Sequence, residues 1–123
     1  MEGIIFVGLG GFIGASLRYF LGTAIETGGV IPAATPAINI FGSFLIGILS
    51  IISERYGLSR HSAILMLQTG FCGDFTTFST FSLETFSLIS QGKVTHAALY
   101  SILSVLCCLL SVAAGRALTE LCL

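Results

Sequence analysis

Gly70-Phe71-Cys72-Gly73-Asp74-Phe75-Thr76-Thr77-Phe78-Ser79-Thr80-Phe81-Ser82 lies inside an apolar segment that runs from about His61 to Ser90. A helix crosses the hydrocarbon of a bilayer with about 20 mostly apolar residues, so this segment is too long for one straight span. Its centre holds two glycines, an acid and the β-branched pair Thr76-Thr77, all of which weaken a helix. The pattern predicts a break near Gly73 to Thr77, around the middle of the membrane. Carbonyls freed at that depth are tolerated only inside protein, or beside water or an ion. They are candidate ligands for a hard cation such as Na+. The helix restarting near Phe78 aims N–H groups and a positive dipole end back at the break.

Outward from this segment the chain reads as three more spans. The first runs from about Gly3 to Ala24, with Glu26 and Gly28-Gly29 ending it; the second from near Pro36 to about Ser53, stopping at Glu54-Arg55; the last from about Val94 to Leu118. Pro36 suits the first turn of a helix, where its missing N–H is not needed. The loops, Thr27 to Thr35, Glu54 to Arg60 and Gln91 to Lys93, leave no room for a domain outside the membrane. Residues 1–123 are therefore expected to form a single four-helix transmembrane domain. Composition agrees: 54% of the residues are hydrophobic and 9% charged, with a mean hydropathy of +1.01. A soluble domain carries about a quarter charged residues, so a water-facing globule is excluded. Glu2 is the only early charge and Arg18 comes late, so the first segment reads as a span rather than a signal peptide. Cys72, Cys107, Cys108 and Cys122 lie in or beside apolar helices and read as packing residues rather than disulfides or metal ligands. His61 and His96 fall at helix ends. There is no nucleotide loop and no catalytic constellation, so no enzyme activity, organic cofactor or nucleic-acid partner is expected.

Basic residues in short loops set orientation. Here one side holds Arg55, Arg60 and Arg116, the other Lys93 and Arg18. Three against two is almost no bias. Either one weak preference decides, or the chain inserts both ways and opposite copies pair as an antiparallel homodimer.

The helix faces carry the remaining chemistry. Gly10 and Gly14 form a GxxxG and Gly11 with Ala15 repeats the spacing, a surface for close helix contact. Arg18 continues that stripe, either snorkelling to the interface or enriching anions at a pore mouth. Asn39, Ser43 and Gly47 share a face of the second span. The Asn39 amide has two donors and one acceptor, for an interhelical bond or for a polar path. Past the break, Phe78 and Phe81 alternate with Ser79, Thr80 and Ser82, and Glu84 follows Thr80 by one turn. A phenyl edge is positive, so edge-on rings beside hydroxyl donors can hold a small anion. Tyr100, Ser104, Cys108 and Ser111 step along one face of the last span, extending that path or bonding back to the helix.

Taken together, Gly10-Gly11-x-x-Gly14-Ala15-x-x-Arg18-Tyr19, Asn39 with Gly42 and Gly47, and Gly70-Phe71-Cys72-Gly73 running into Thr76-Thr77-Phe78-Ser79-Thr80-Phe81 closely resemble the Fluc (CrcB) fluoride channels over the whole chain. The resemblance implies an antiparallel dual-topology homodimer with two pores and a structural Na+ at its centre. It implies that Asn39 is the pore asparagine and that Phe78 and Phe81 flank the fluoride path. Ser79, Thr80, Tyr100 and Ser104 would form a polar track, with Arg18 near the vestibule and Glu84 near the track. Gly73 and Thr76 would supply carbonyls to Na+. Asp74 departs from the family, which commonly has a second glycine there. A buried carboxylate is costly unless neutralised or paired; this one would support the cation, be protonated, point into a wet cavity or mark a diverged copy that works only with a paralogue.

The function implied is a fluoride-selective passive channel. It would export cytoplasmic fluoride down its electrochemical gradient across the cell membrane, the inner membrane in a bacterium. Two other classes stand beside it. A small dual-topology proton-coupled multidrug transporter needs an intramembrane acid, typically in the first span, which here has none between Glu2 and Glu26. A non-conducting membrane interaction subunit would show no flux of its own.

Overall fold

Continuous apolar sequence with helix-forming residues folds as long helices wherever no breaker intervenes, and three such helices frame the chain in the computed structural model. The structure describes residues 2–25 and 28–123. Helix α1 spans Glu2–Ala24 and α2 spans Ala34–Tyr56. Then α3 (Ser62–Ile64), a π-helical run (Leu65–Cys72) and α4 (Gly73–Phe75) follow without a gap. Thr76 and Thr77 are extended, with φ/ψ of −82°/157° and −146°/120°. Helix α5 covers Phe78–Ser90 and α6 covers Val94–Cys122. Every regular element among the described residues is helical.

Helices α1, α2 and α6 are each long and apolar enough to cross a membrane. The third expected segment is divided among shorter elements. Four boundaries differ from the sequence reading. Helix α2 begins at Ala34, ahead of Pro36, and continues to Tyr56; Pro36 still sits in the first turn, where no N–H is needed. Helix α6 runs past Leu118 to Cys122. Gly73, expected inside the break, is helical at φ −61° and ψ −44°, so only Thr76 and Thr77 leave the helix. Glu26, expected to help end the first span, lies outside the described residues.

Glycines decide which helices touch. A Cβ on Gly10 would overlap the Met66 carbonyl oxygen, and one on Gly70 would overlap that of Val7. Helix α1 and the π run therefore meet backbone to backbone, and the GxxxG face is used within the chain. Gly47 and Gly115 do the same for α2 and α6, facing the carbonyls of Val112 and Phe44. Without a hydrophobic drive between helices in lipid, such close approach is what holds spans together. Ser111 adds a hydrogen bond to the Ile40 carbonyl at 2.8 Å. Arg116 donates to both carboxylate oxygens of Glu54 and to Ser50.

The largest fully buried side chain among the described residues is Phe75, the last residue of α4. It stacks on Phe71 and meets Phe41 edge-on. It anchors the end of α4 at the point where the chain turns extended. Leu88, Ala97 and Tyr100 join α5 to α6, with Phe81 packed against them. Outward faces are apolar: Ile4, Phe12 and Phe20 on α1 and Leu103 and Leu110 on α6 are all exposed. Apolar exposure on that scale suits lipid or another protein surface, not water.

Candidate ion pathway at the Thr76–Thr77 step

The step between α4 and α5 gathers most of the polar side chains singled out in the sequence. Two extended residues release backbone groups that a helix would have paired, and several of these find specific partners. The Cys72 carbonyl accepts from the Thr76 N–H at 3.2 Å and from Thr76 Oγ1 at 2.9 Å. The Thr77 N–H donates to Asn39 Oδ1 at 2.8 Å, and Asn39 Nδ2 donates to the Thr77 carbonyl at 3.1 Å. Thr77 Oγ1 caps α5 by accepting from the Thr80 N–H at 3.2 Å, and it donates to Thr80 Oγ1. Ser79 Oγ lies 3.3 Å from the same oxygen.

Beside this step is a cavity of about 390 Å³. Asn39, Gly73, Thr76, Phe78, Phe81 and Ser104 line it, so six of the expected site residues converge there. Phe78 is 77% exposed and its ring centroid lies 5.5 Å from that of Phe81. Phe81 in turn stacks on Tyr100 at 5.5 Å. Ser104 is buried, whereas Ser79 is exposed and outside the cavity lining.

A second cavity, about 240 Å³, is lined by Arg18, Tyr19, Thr35, Thr77 and Thr80. Thr77 borders both spaces. Arg18 Nε donates to the Asp74 carbonyl at 2.9 Å, which ties its guanidinium to the end of α4. The Asp74 carboxylate leans on α1, so close that a Cβ on Gly11 would overlap its Oδ2. Asp74 lines neither cavity. Glu84 accepts from Thr35 Oγ1 at 2.9 Å and from the Tyr100 hydroxyl at 2.5 Å, linking α2, α5 and α6.

Thr35 and Thr77 are the residues that sequence reading did not assign. Thr35 is buried against Glu84, 49 positions along the chain, and it stands in a stretch that reads as loop. Thr77 belongs to the expected break, but its part as hub of the hydrogen bonds follows only from the placement of Asn39. Among the other candidates, Ser111 closes the α2–α6 contact rather than facing the cavity, and His61 Nδ1 accepts from the Ala63 N–H as the cap of α3.

The donor chemistry also fits a hard cation at one edge of the larger cavity. In a continuous helix the Thr77 N–H would return to the Gly73 carbonyl; here it goes to Asn39. Gly73 is exposed, and a Cβ there would meet nothing within 4 Å. Carbonyl oxygens suit hard cations, which take about six ligands or more. The Gly73 and Thr76 carbonyls are too few to hold such an ion alone.

These features define a small helical membrane protein with a cavity, lined by an amide, hydroxyls and phenyl rings, beside the extended Thr76–Thr77 step. The family model described as CrcB-like protein, Camphor Resistance (CrcB), matches residues 5–116, and the chain belongs to that family. It is 43% identical to a protein of Ruminiclostridium cellulolyticum named Fluoride-specific ion channel FluC, over 98% of this chain and 94% of the relative. A protein of the same name from Oceanobacillus iheyensis is 47% identical over 81% of this chain and 78% of the relative. One from Methanococcus aeolicus is 40% identical over 94% of each.

Proposed function

We propose that this chain is a fluoride-selective passive channel that lets cytoplasmic fluoride leave the cell down its electrochemical gradient, and so limits fluoride toxicity. The observation that carries the reading is the cavity at the Thr76–Thr77 step, where an amide, hydroxyls and two phenyl rings meet in one space. Relatives similar over nearly the whole chain carry the name Fluoride-specific ion channel FluC. Fluoride is small and strongly hydrated. A pore for it must replace water with several donors without holding the ion too firmly. Asn39, Ser79, Thr80 and Ser104 offer such donors, Phe78 and Phe81 offer positive ring edges, and Tyr100 with Glu84 backs the Phe81 ring. Arg18 at the second cavity raises the anion concentration at the entrance. Undissociated HF crosses lipid and ionises at neutral pH, so a selective leak suffices for export and no energy source is required.

The active form in this proposal is an antiparallel dual-topology homodimer in the cell membrane. The near balance of loop charge supports it, as do the exposed Phe78 ring and the open face at Gly73. Pairing would bring two sets of Gly73 and Thr76 carbonyls together, and these would hold a structural Na+ by charge–dipole attraction. Expression in a bacterium lacking its own fluoride exporter tests the reading. Growth in fluoride should be restored. No rescue, with the protein present in the membrane, counts against it.

A further inference from the structure

Asn39 spends its side chain on backbone. Its Oδ1 accepts from the Thr77 N–H at 2.8 Å while its Nδ2 donates to the Thr77 carbonyl at 3.1 Å. Both groups belong to one residue. In an extended residue the N–H and C=O point to the same side, as in a hydrogen-bonded pair of antiparallel strands. In a helix they point in opposite directions along the axis. One primary amide can therefore engage both only while Thr77 is extended, which it is, at φ −146° and ψ 120°.

The alternative to this arrangement is close at hand. The preceding residue still makes its helical bond, Thr76 N–H to the Cys72 carbonyl. The next bond in that ladder would join the Thr77 N–H to the Gly73 carbonyl. Asn39 Oδ1 occupies the donor instead. Gly73 itself has helical angles, so its carbonyl is already set along the helix axis.

We propose that Asn39 is a positioning residue: it holds the α4–α5 step open by capturing the Thr77 N–H, and thereby keeps the Gly73 carbonyl free of the helix ladder. An α2 side chain on the wall of the larger cavity thus sets the state of a backbone oxygen on the same wall. One Nδ2 hydrogen remains to face the cavity, so the same amide serves path and scaffold together. The inference depends on the channel reading only for its consequence for flux; the hydrogen-bond state of Gly73 is independent of what the cavity conducts.

Isotope-edited infrared spectroscopy of a ¹³C=¹⁸O label at Gly73 tests it. The Phe71–Cys72 junction allows the labelled segment to be joined by chemical ligation. In the reconstituted Asn39→Leu protein the Gly73 carbonyl band should move to lower wavenumber than in the unsubstituted protein, as the Thr77 N–H returns to it. An unmoved band in a folded Asn39→Leu protein overturns the proposal. Should that variant not fold, Asn39→Asp, reconstituted at acidic pH, takes its place. The protonated carboxyl of this variant offers Thr77 one donor and one acceptor, the same two that the asparagine amide uses there, and should leave the band where it is. Once ionised, the carboxylate opposes the Thr77 carbonyl, so the band should shift on raising the pH. The unsubstituted protein carried through the same pH range accounts for Arg18, Asp74 and Glu84. No pH-dependent difference between the two overturns the proposal. Fluoride efflux on the same samples separates the readings: an absence of flux in the unsubstituted protein defeats the channel reading and leaves the carbonyl result standing.

Discussion

The Tyr100 hydroxyl donates to Glu84 Oε2 across 2.5 Å, and its ring stacks on Phe81. One side chain thus ties the acid on α5 to the aromatic wall of the larger cavity. Glu84 receives its second donor from Thr35 on α2. A carboxylate among apolar helices is stabilised when donors satisfy it, so three helices are fixed around one acid.

Tyr100→Phe keeps the stacked ring and removes the donor. Hydrogen bonds to charged groups contribute about 1.5–3 kcal/mol, and the variant should lose stability on that scale while Phe81 stays in place. Thermal unfolding of purified protein checks this. An unchanged midpoint would mean that the Glu84 contact carries no net stability.

Phe78→Ile and Phe81→Ile should separate packing from conduction. Phe78 is 77% exposed within the protomer, so Phe78→Ile should change the protomer's stability little. Phe81 sits between Phe78 and Tyr100, and losing an aromatic pair costs about 0.5–1.5 kcal/mol beyond area. Both variants should lose fluoride flux, because both lose a positive ring edge. Lower stability with flux intact would remove the rings from the pore.

Gly10→Ala and Gly73→Ala should fail differently. The first drives a methyl into the Met66 carbonyl oxygen, so α1 and the π run must separate and folded protein should not be recovered. At Gly73 the methyl meets nothing within the protomer. Gly73→Ala should therefore fold and show its effect on formation of the proposed dimer, read by cross-linking in the membrane. An undisturbed dimer would place the partner surface elsewhere.

Dual topology predicts that a cysteine introduced at Gln91, in a protein with its four native cysteines replaced, is labelled by an impermeant reagent from both sides of the membrane. Labelling from one side alone would mean that the three-against-two charge count suffices to fix orientation.

Much of this architecture is legible in sequence, for identifiable reasons. Long apolar runs bounded by Glu54-Arg55 or glycines mark α1, α2 and α6, because the bilayer tolerates little else. Thr76-Thr77 announces the interruption because β-branched residues favour extended backbone. The π-helical course of Leu65–Cys72 leaves no such signature; it accompanies the contact of Gly70 with the Val7 carbonyl, a tertiary event. The partner of Asn39 is equally hidden. It is a peptide group, the same in every residue, and only its placement beside α2 distinguishes it. Thr35 meets Glu84 only when α2 and α5 are packed.

The proposed function is conduction selective for fluoride. Liposomes containing only this purified chain, loaded with either potassium fluoride or potassium chloride and relieved of charge by a potassium ionophore, test it most directly. Fluoride should leave fast, with chloride held at the rate of protein-free vesicles; equal efflux of the two anions, or no fluoride efflux from folded protein, would overturn the proposed function.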